Sequence, residues 1–201
     1  MKNAVLIDFS LPRDYLYHGE TVLSEISLFL WNRMMIRPET PPSKIGDAFS
    51  ITNPGNPTVR ENVQKFNKSY TTYSWTVGLT AAMEGNHSLA YRSNVLIRTN
   101  ERRSSPFNSP FFNDPFFNDP FFGLGRETSV QVTSRTRPIE IRTLPSRGKP
   151  PNFTGAIGNF EISSSIDSKS VAVGDPVRLT ITISGKGNFA AMPAPQLQAQ
   201  P

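Results

Sequence analysis

The stretch Val177-Arg-Leu-Thr-Ile-Thr-Ile-Ser184 decides the fold class. Val177, Leu179, Ile181 and Ile183 fall on one face, with Arg178, Thr180, Thr182 and Ser184 on the other. In extended backbone successive side chains point to opposite faces, so strict alternation marks a strand buried on one side. Its branched side chains favour a pleated surface over a helix. The pattern returns at Ile26, Leu28 and Leu30, with Ser27, Phe29 and Trp31 on the reverse face. Large residues on both faces there predict a strand covered twice. Tyr73–Leu79, Leu89–Ile97, Ser129–Thr133 and Ile139–Leu144 are further candidates, each bounded by Gly, Pro, Asn or Ser. Met1-Lys-Asn-Ala-Val-Leu-Ile-Asp8 reads as the start of another. No window supports an amphipathic helix longer than two turns. The expected class is all-β.

Composition agrees. The chain has 201 residues, 18 of them proline and 13 glycine, which suits short strands and frequent turns. It has no apolar run near 18 residues that would cross a membrane as a helix. With no cysteine there are no disulfides, thiol nucleophiles, thiolate metal sites or iron–sulfur clusters. The net charge of +5 is scattered, its densest point being the Arg102-Arg103 pair. That distribution argues against nucleic acid and for weak attraction to anionic surfaces. The N-terminal residues are too short and too quickly polar for a signal peptide. The last ten residues, Met192-Pro-Ala-Pro-Gln-Leu-Gln-Ala-Gln-Pro201, offer no closing strand, so an interior piece of a longer protein is expected.

An internal repeat is visible. His18-Gly-Glu-Thr-Val22 leads into one alternating strand, and Val173-Gly-Asp-Pro-Val177 leads into the other. Each reads as a tight turn at glycine, an acidic residue, then a strand. The glycines Gly19 and Gly174 are 155 residues apart, more than the ~100 of a bare immunoglobulin-like sandwich, so an insertion is expected between them. It is placed at 104–125. There Ser105–Gly123 repeats a five-residue Pro-Phe-Phe unit, holding Phe111, Phe112, Phe116, Phe117, Phe121 and Phe122 among others. Proline at every fifth position blocks both helix and central-strand pairing. Two readings stay open: a connection whose rings cluster loosely on the sandwich, or a segment that docks on a partner or on lipid headgroups.

The residues carry little chemistry. His18 and His87 fall in different candidate turns and read as solvated loop residues. No His-x-x-x-His spacing suggests zinc, and no Gly-x-Ser-x-Gly elbow suggests a hydrolase. Gly185-Lys-Gly187 lacks the rest of a phosphate loop, and Asn113-Asp114 and Asn118-Asp119 fit Asx-Pro turns better than a calcium loop. No catalytic, cofactor or metal site is assigned, which favours a binding or scaffolding role.

The most distinctive stretch is Leu144-Pro-Ser-Arg-Gly-Lys-Pro-Pro-Asn-Phe153-Thr-Gly-Ala-Ile-Gly-Asn-Phe160. It resembles the signature of the BatD family of bacterial aerotolerance proteins: Leu-Pro, then Gly-Lys-Pro, then Phe-x-Gly-Ala-Val/Ile-Gly-x-Phe. Gly148, Lys149, Pro150, Phe153, Gly155, Ala156, Gly158 and Phe160 carry that match. Val173-Gly-Asp-Pro-Val177 running into Ile183-Ser-Gly-Lys-Gly-Asn-Phe189, Tyr17-His-Gly-Glu-Thr-Val22 and Asp119-Pro-Phe-Phe-Gly123 are also similar to that family, though His18 replaces a more usual small apolar residue. The resemblance implies tandem immunoglobulin-like modules with no enzymatic activity, in an exported protein anchored in the bacterial envelope on the periplasmic side. It implies partners as well, von Willebrand A-domain proteins and MoxR-type ATPases.

The expected organisation follows: an immunoglobulin-like module over 1–147, a proline-rich linker over 148–152, and the first part of a second, truncated module over 153–201. The paired prolines stiffen the junction. The glycines after Phe153 read either as a hinge letting Phe153 and Phe160 tuck into adjoining modules, or as an edge strand with a bulge. Two or three strands are too few to bury the 177–183 face, so the second part is expected to be loosely ordered or to borrow contacts from the first. The expected function is a non-enzymatic protein-interaction module. The competing expectation is a carbohydrate-binding or adhesin-type sandwich, which would present Trp31, Tyr73 and Trp75 together on one exposed face.

Overall fold

A computed structural model describes residues 3–99, 126–168 and 170–195. The Phe-rich stretch, with Phe111, Phe112, Phe116, Phe117, Phe121 and Phe122, lies outside the described residues. The chain is all-β, as expected. Its strands are β1 (Val5–Ser10), β2 (Tyr15–Tyr17), β3 (Thr21–Trp31), β4 (Met35–Pro38), β5 (Ser43–Ile45), β6 (Phe49–Ile51), β7 (Thr58–Lys65), β8 (Lys68–Ala81), β9 (Gly85–Thr99), β10 (Arg126–Thr133), β11 (Arg137–Arg142), β12 (Gly158–Ile166) and β13 (Leu179–Gly187). A 3-10 turn, Phe189–Ala191, follows.

Two sheets enclose one core in a β-sandwich-like body. The first runs β1-β3-β8, with β6 and β7 both paired to β8. In the second, β9 is the hub. Its 92–99 half pairs with β10, its 85–89 end with β11, and β4 and β5 lie along it too. At the far edge β2 pairs with β11, running parallel to it. The alternation predicted at Ile26, Leu28 and Leu30 points these side chains inward, where they meet Leu89, Tyr91, Val95, Ile139 and Ile141 of the opposite sheet. Phe9 meets Tyr91 edge to face, ring centroids 5.0 Å apart, an arrangement aromatic pairs prefer.

The reverse face of β3 refines one expectation. Phe29 and Trp31 are half-buried, but among the described residues no second sheet covers them. Lys65 lies over the Phe29 ring at 4.3 Å and Lys68 over Trp31 at 4.4 Å. Long lysine stems cover apolar surface while their charged heads stay wet, so the second covering of this strand is a cation–π layer.

Residues 143–157 carry no strand, and beyond them β12 and β13 form a separate two-stranded ribbon. This ribbon is a structural repeat of β1 and β3. The pairs Val5↔Leu30, Ile7↔Leu28, Phe9↔Ile26 and Ser10↔Glu25, advanced by 155, become Phe160↔Gly185, Ile162↔Ile183, Ser164↔Ile181 and Ser165↔Thr180, all present. The turns before β3 and β13 match as well. Glu20 N–H donates to the Tyr17 carbonyl at 2.9 Å, and Tyr17 N–H to the Glu20 carboxylate at 2.9 Å. Asp175 N–H donates to the Ala172 carbonyl at 3.1 Å, and Ala172 N–H to the Asp175 carboxylate at 3.1 Å. Gly19 and Gly174 turn at φ +80° and +100°, where a side chain is strained. The weak sequence repeat is thus one supersecondary unit used twice.

Candidate functional site

The turn Tyr17–Glu20 sits where both sheets end. Gly19 N–H donates to the Ala81 carbonyl of the first sheet at 2.8 Å, and His18 N–H to the Arg142 carbonyl of the second at 2.9 Å. The carboxylate of Glu20 is buried and accepts from the Arg13 guanidinium, so its charge is compensated. Arg13 and Arg142 also hold their guanidinium groups 4.9 and 4.2 Å from the Tyr15 ring centroid. A hydrogen bond from Arg142 keeps the Glu140 carboxyl below its ordinary range.

The ribbon docks on this turn. The Asn188 side-chain amide donates to the Gly19 carbonyl at 2.9 Å. Ile157 Cδ1 lies 3.8 Å from where a Gly19 Cβ would stand. Asn188 N–H donates to the Ile157 carbonyl at 3.0 Å, so the two docking residues, one before β12 and one after β13, hold each other in place. Between the outer face of the first sheet and the base of the ribbon runs a groove of about 870 Å³. Leu23, Thr76 and Gly78 line one wall, and Gly158, Lys186 and Phe189 the other.

The signature residues divide between this joint and the linker. Gly158 opens β12 opposite Gly187, and the Phe160 ring lies over both. A Cβ on either glycine would come 2.7 Å from Phe160 Cζ and 2.4 Å from a backbone carbonyl oxygen. Only hydrogen at these positions permits the close pairing. Phe160 then meets Phe189 edge to face, centroids 5.1 Å apart. A Cβ on Gly155 would stand 3.7 Å from the Ala191 side chain, and Ala156 is half-buried beside it. Gly148, Lys149 and Pro150 belong to the linker, and Lys149 lies 5.2 Å over the ring of Phe153, the residue just past it. Phe153 shares a shallow pocket with Leu144 and Pro145. Phe160 serves the ribbon's own end.

The sequence pattern does not mark Asn188 and Ile157, which make the docking contact, as site residues. Asn188 stands in the Gly-x-Gly-Asn run, but its partner Gly19 is 169 residues away. Elsewhere, His18 is exposed and His87 half-buried, and they hydrogen-bond through Nε2 to the Ala82 and Glu84 carbonyls at 3.1 and 3.0 Å. Among the described residues no three His, Asp or Glu side chains gather to hold a metal ion. Trp75 is buried at 3% exposure, Tyr73 packs against the core, and Trp31 lies under Lys68, so these three do not form an exposed platform. The sequence matches no protein-family model and no curated protein.

Proposed function

We propose that this chain is a non-enzymatic interaction module of a BatD-like protein of the bacterial envelope. In this reading an immunoglobulin-like module over 1–147 is joined by the 148–152 linker to the first part of a second, and the assembly is a scaffold for protein partners. The observation that carries the reading is the joint. Gly158 and Phe160 of the BatD-like signature, with Gly187, Asn188 and Phe189 of the matching second stretch, build the end of the ribbon that seats on the Gly19 turn. Residues spent on holding two units in one orientation suit a protein whose work is presentation rather than chemistry. The partners implied are von Willebrand A-domain proteins and the MoxR-type ATPase system, met on the periplasmic side of the inner membrane.

The test is capture of purified von Willebrand A-domain proteins on the immobilised chain, with and without Ser105–Gly123. Saturable binding that survives high salt supports the proposal, because weak charge attraction from a +5 chain is screened away. Absence of capture by both forms counts against it. Loss on deletion alone assigns the contact to the Phe-rich stretch. The carbohydrate-binding alternative has no observation in its favour, since Trp75 and Tyr73 stack toward the core while Trp31 lies on the opposite face.

A further inference from the structure

Opposite the joint, the sandwich ends in two turns locked together. β3 runs about 35 Å from Thr21, beside the Gly19 turn, to Trp31 at the far end. There Asn32, between β3 and β4, donates from its side-chain amide to Asn62 Oδ1 and Ser69 Oγ beside the β7–β8 hairpin, both at 3.2 Å. It accepts from Thr71 Oγ1 at 2.9 Å, and its N–H donates to the Ser69 carbonyl at 3.0 Å. The hairpin closes through the pair Lys65↔Lys68 over a two-residue turn, Phe66-Asn67. Both turn residues have positive φ, +50° and +55°. Asparagine and glycine suit such a turn, whereas a bulky ring is strained there. Phe66 is also 62% exposed, so burial in the core does not account for it. A strained, exposed ring held on a rigid tip points to a contact outside the chain.

We infer that this tip docks on an anionic lipid bilayer, with Phe66 entering the headgroup layer and the cations around it meeting lipid phosphates. Charge favours that partner. Lys65 Nζ lies 5.8 Å from the Phe66 ring centroid and Lys68 Nζ 4.4 Å from that of Trp31. Arg33 is exposed and makes no ion pair among the described residues. Asp8 offsets part of this charge through Lys65, at 3.4 Å. Shape favours it too. Phe66 projects from a two-residue turn, and a headgroup layer yields around such a ring without a matching pocket. Aromatic rings with lysine and arginine beside them are the side chains that settle at the boundary between headgroups and acyl chains. Met35, 62% exposed just after the β3–β4 turn, adds a second apolar side chain at this end. The internal repeat speaks against a second joint here. Advanced by 155, Asn3, Asn32, Arg33 and Met34 become Gly158, Gly187, Asn188 and Phe189, the residues that seat the ribbon. None of those four recurs at the tip, so it is not built to seat on another such turn.

The inference rests on the tip alone and is independent of the partners proposed above. Flotation of the full chain with vesicles of phosphatidylcholine, alone or mixed with phosphatidylglycerol, is the test. The expected result is binding to the mixed vesicles only, with a partition coefficient that falls at least about fivefold in Phe66→Asn and in Arg33→Glu. Asparagine suits the left-handed turn, so Phe66→Asn keeps the melting transition and its lost binding is not lost fold. Arg178→Glu, an equal change of charge at an exposed position on the ribbon, should bind as the wild type does. Binding should also survive deletion of Ser105–Gly123. No binding to either vesicle, equal binding to both, a loss in Arg178→Glu matching that in Arg33→Glu, or a loss on the deletion would overturn the inference.

Discussion

Asn188 holds the carbonyl of Gly19 through its side-chain amide at 2.9 Å, across 169 residues of sequence, and this bond seats the ribbon on the sandwich. A neutral hydrogen bond of this kind contributes about 1 kcal/mol. Asn188→Ala should leave the melting of the sandwich unchanged while widening the range of ribbon orientations. Small-angle scattering should show a broader distance distribution for the variant. Superimposable profiles would mean that the linker, not this bond, sets the orientation.

Gly158 and Gly187 oppose each other under the Phe160 ring. Gly158→Val places a branched side chain where a Cβ already stands 2.4 Å from the Lys186 carbonyl oxygen. The ribbon should unpair at this end, with hydrogen exchange at least about tenfold faster over residues 158–162 and no change in the sandwich core. Retained protection in the variant would refute the close-packing account.

Tyr91 is buried in the core with its hydroxyl on Ser24 at 3.3 Å, and burial pushes its pKa above 10.0 despite that hydrogen bond. The unfolded chain begins to lose this proton near pH 10 while the folded chain retains it. More protons on the folded state mean that stability falls as pH rises through and beyond that value. Tyr91→Phe should remove this contribution, so denaturant midpoints of the two proteins should converge above pH 10 while the wild type leads at pH 7. Parallel curves across the range would contradict it.

Trp75 is almost fully buried, yet its Nε1 has no hydrogen-bond partner among the described residues. Trp75→Phe removes an unpaired donor along with some volume, so its cost should stay below about 1.5 kcal/mol. Ile26→Ala, at a position with no exposure, should cost about 2–5 kcal/mol by leaving a cavity. Chemical denaturation of both variants checks the contrast; equal losses would imply that the indole N–H is satisfied by water.

The strands that show in the sequence are those whose burial imposes alternation. Ile26 to Leu30, Leu89 to Ile97 and Val177 to Ile183 announce themselves because one face meets a core or has the pattern of one. β7 (Thr58–Lys65) does not, because almost every side chain in it is exposed and edge pairing with β8 holds it. β12 hid for a related reason: its serines interrupt the apolar pattern, leaving Ile162 and Ile166 as isolated signals. Inward and outward were also hard to assign for large aromatics. Trp75 and Trp31 look alike in sequence, yet one is core and the other lies beneath a lysine. At the joint the glycines were legible, since a repeated turn needs them. Asn188 was not, because the pairing that brings it to Gly19 is a property of two registers 155 residues apart.

The edge pair β2–β11 has a mechanical consequence. These strands run parallel, at Glu140↔Tyr15, Ile141↔Leu16 and Arg142↔Tyr17, and the chain leaves for the linker directly after Arg142. Tension drawn between the chain entering β2 and the chain leaving β11 loads these rungs together in shear instead of peeling them one at a time. A tether pulling along that path would meet a clamp at the very strand edge from which the second unit hangs.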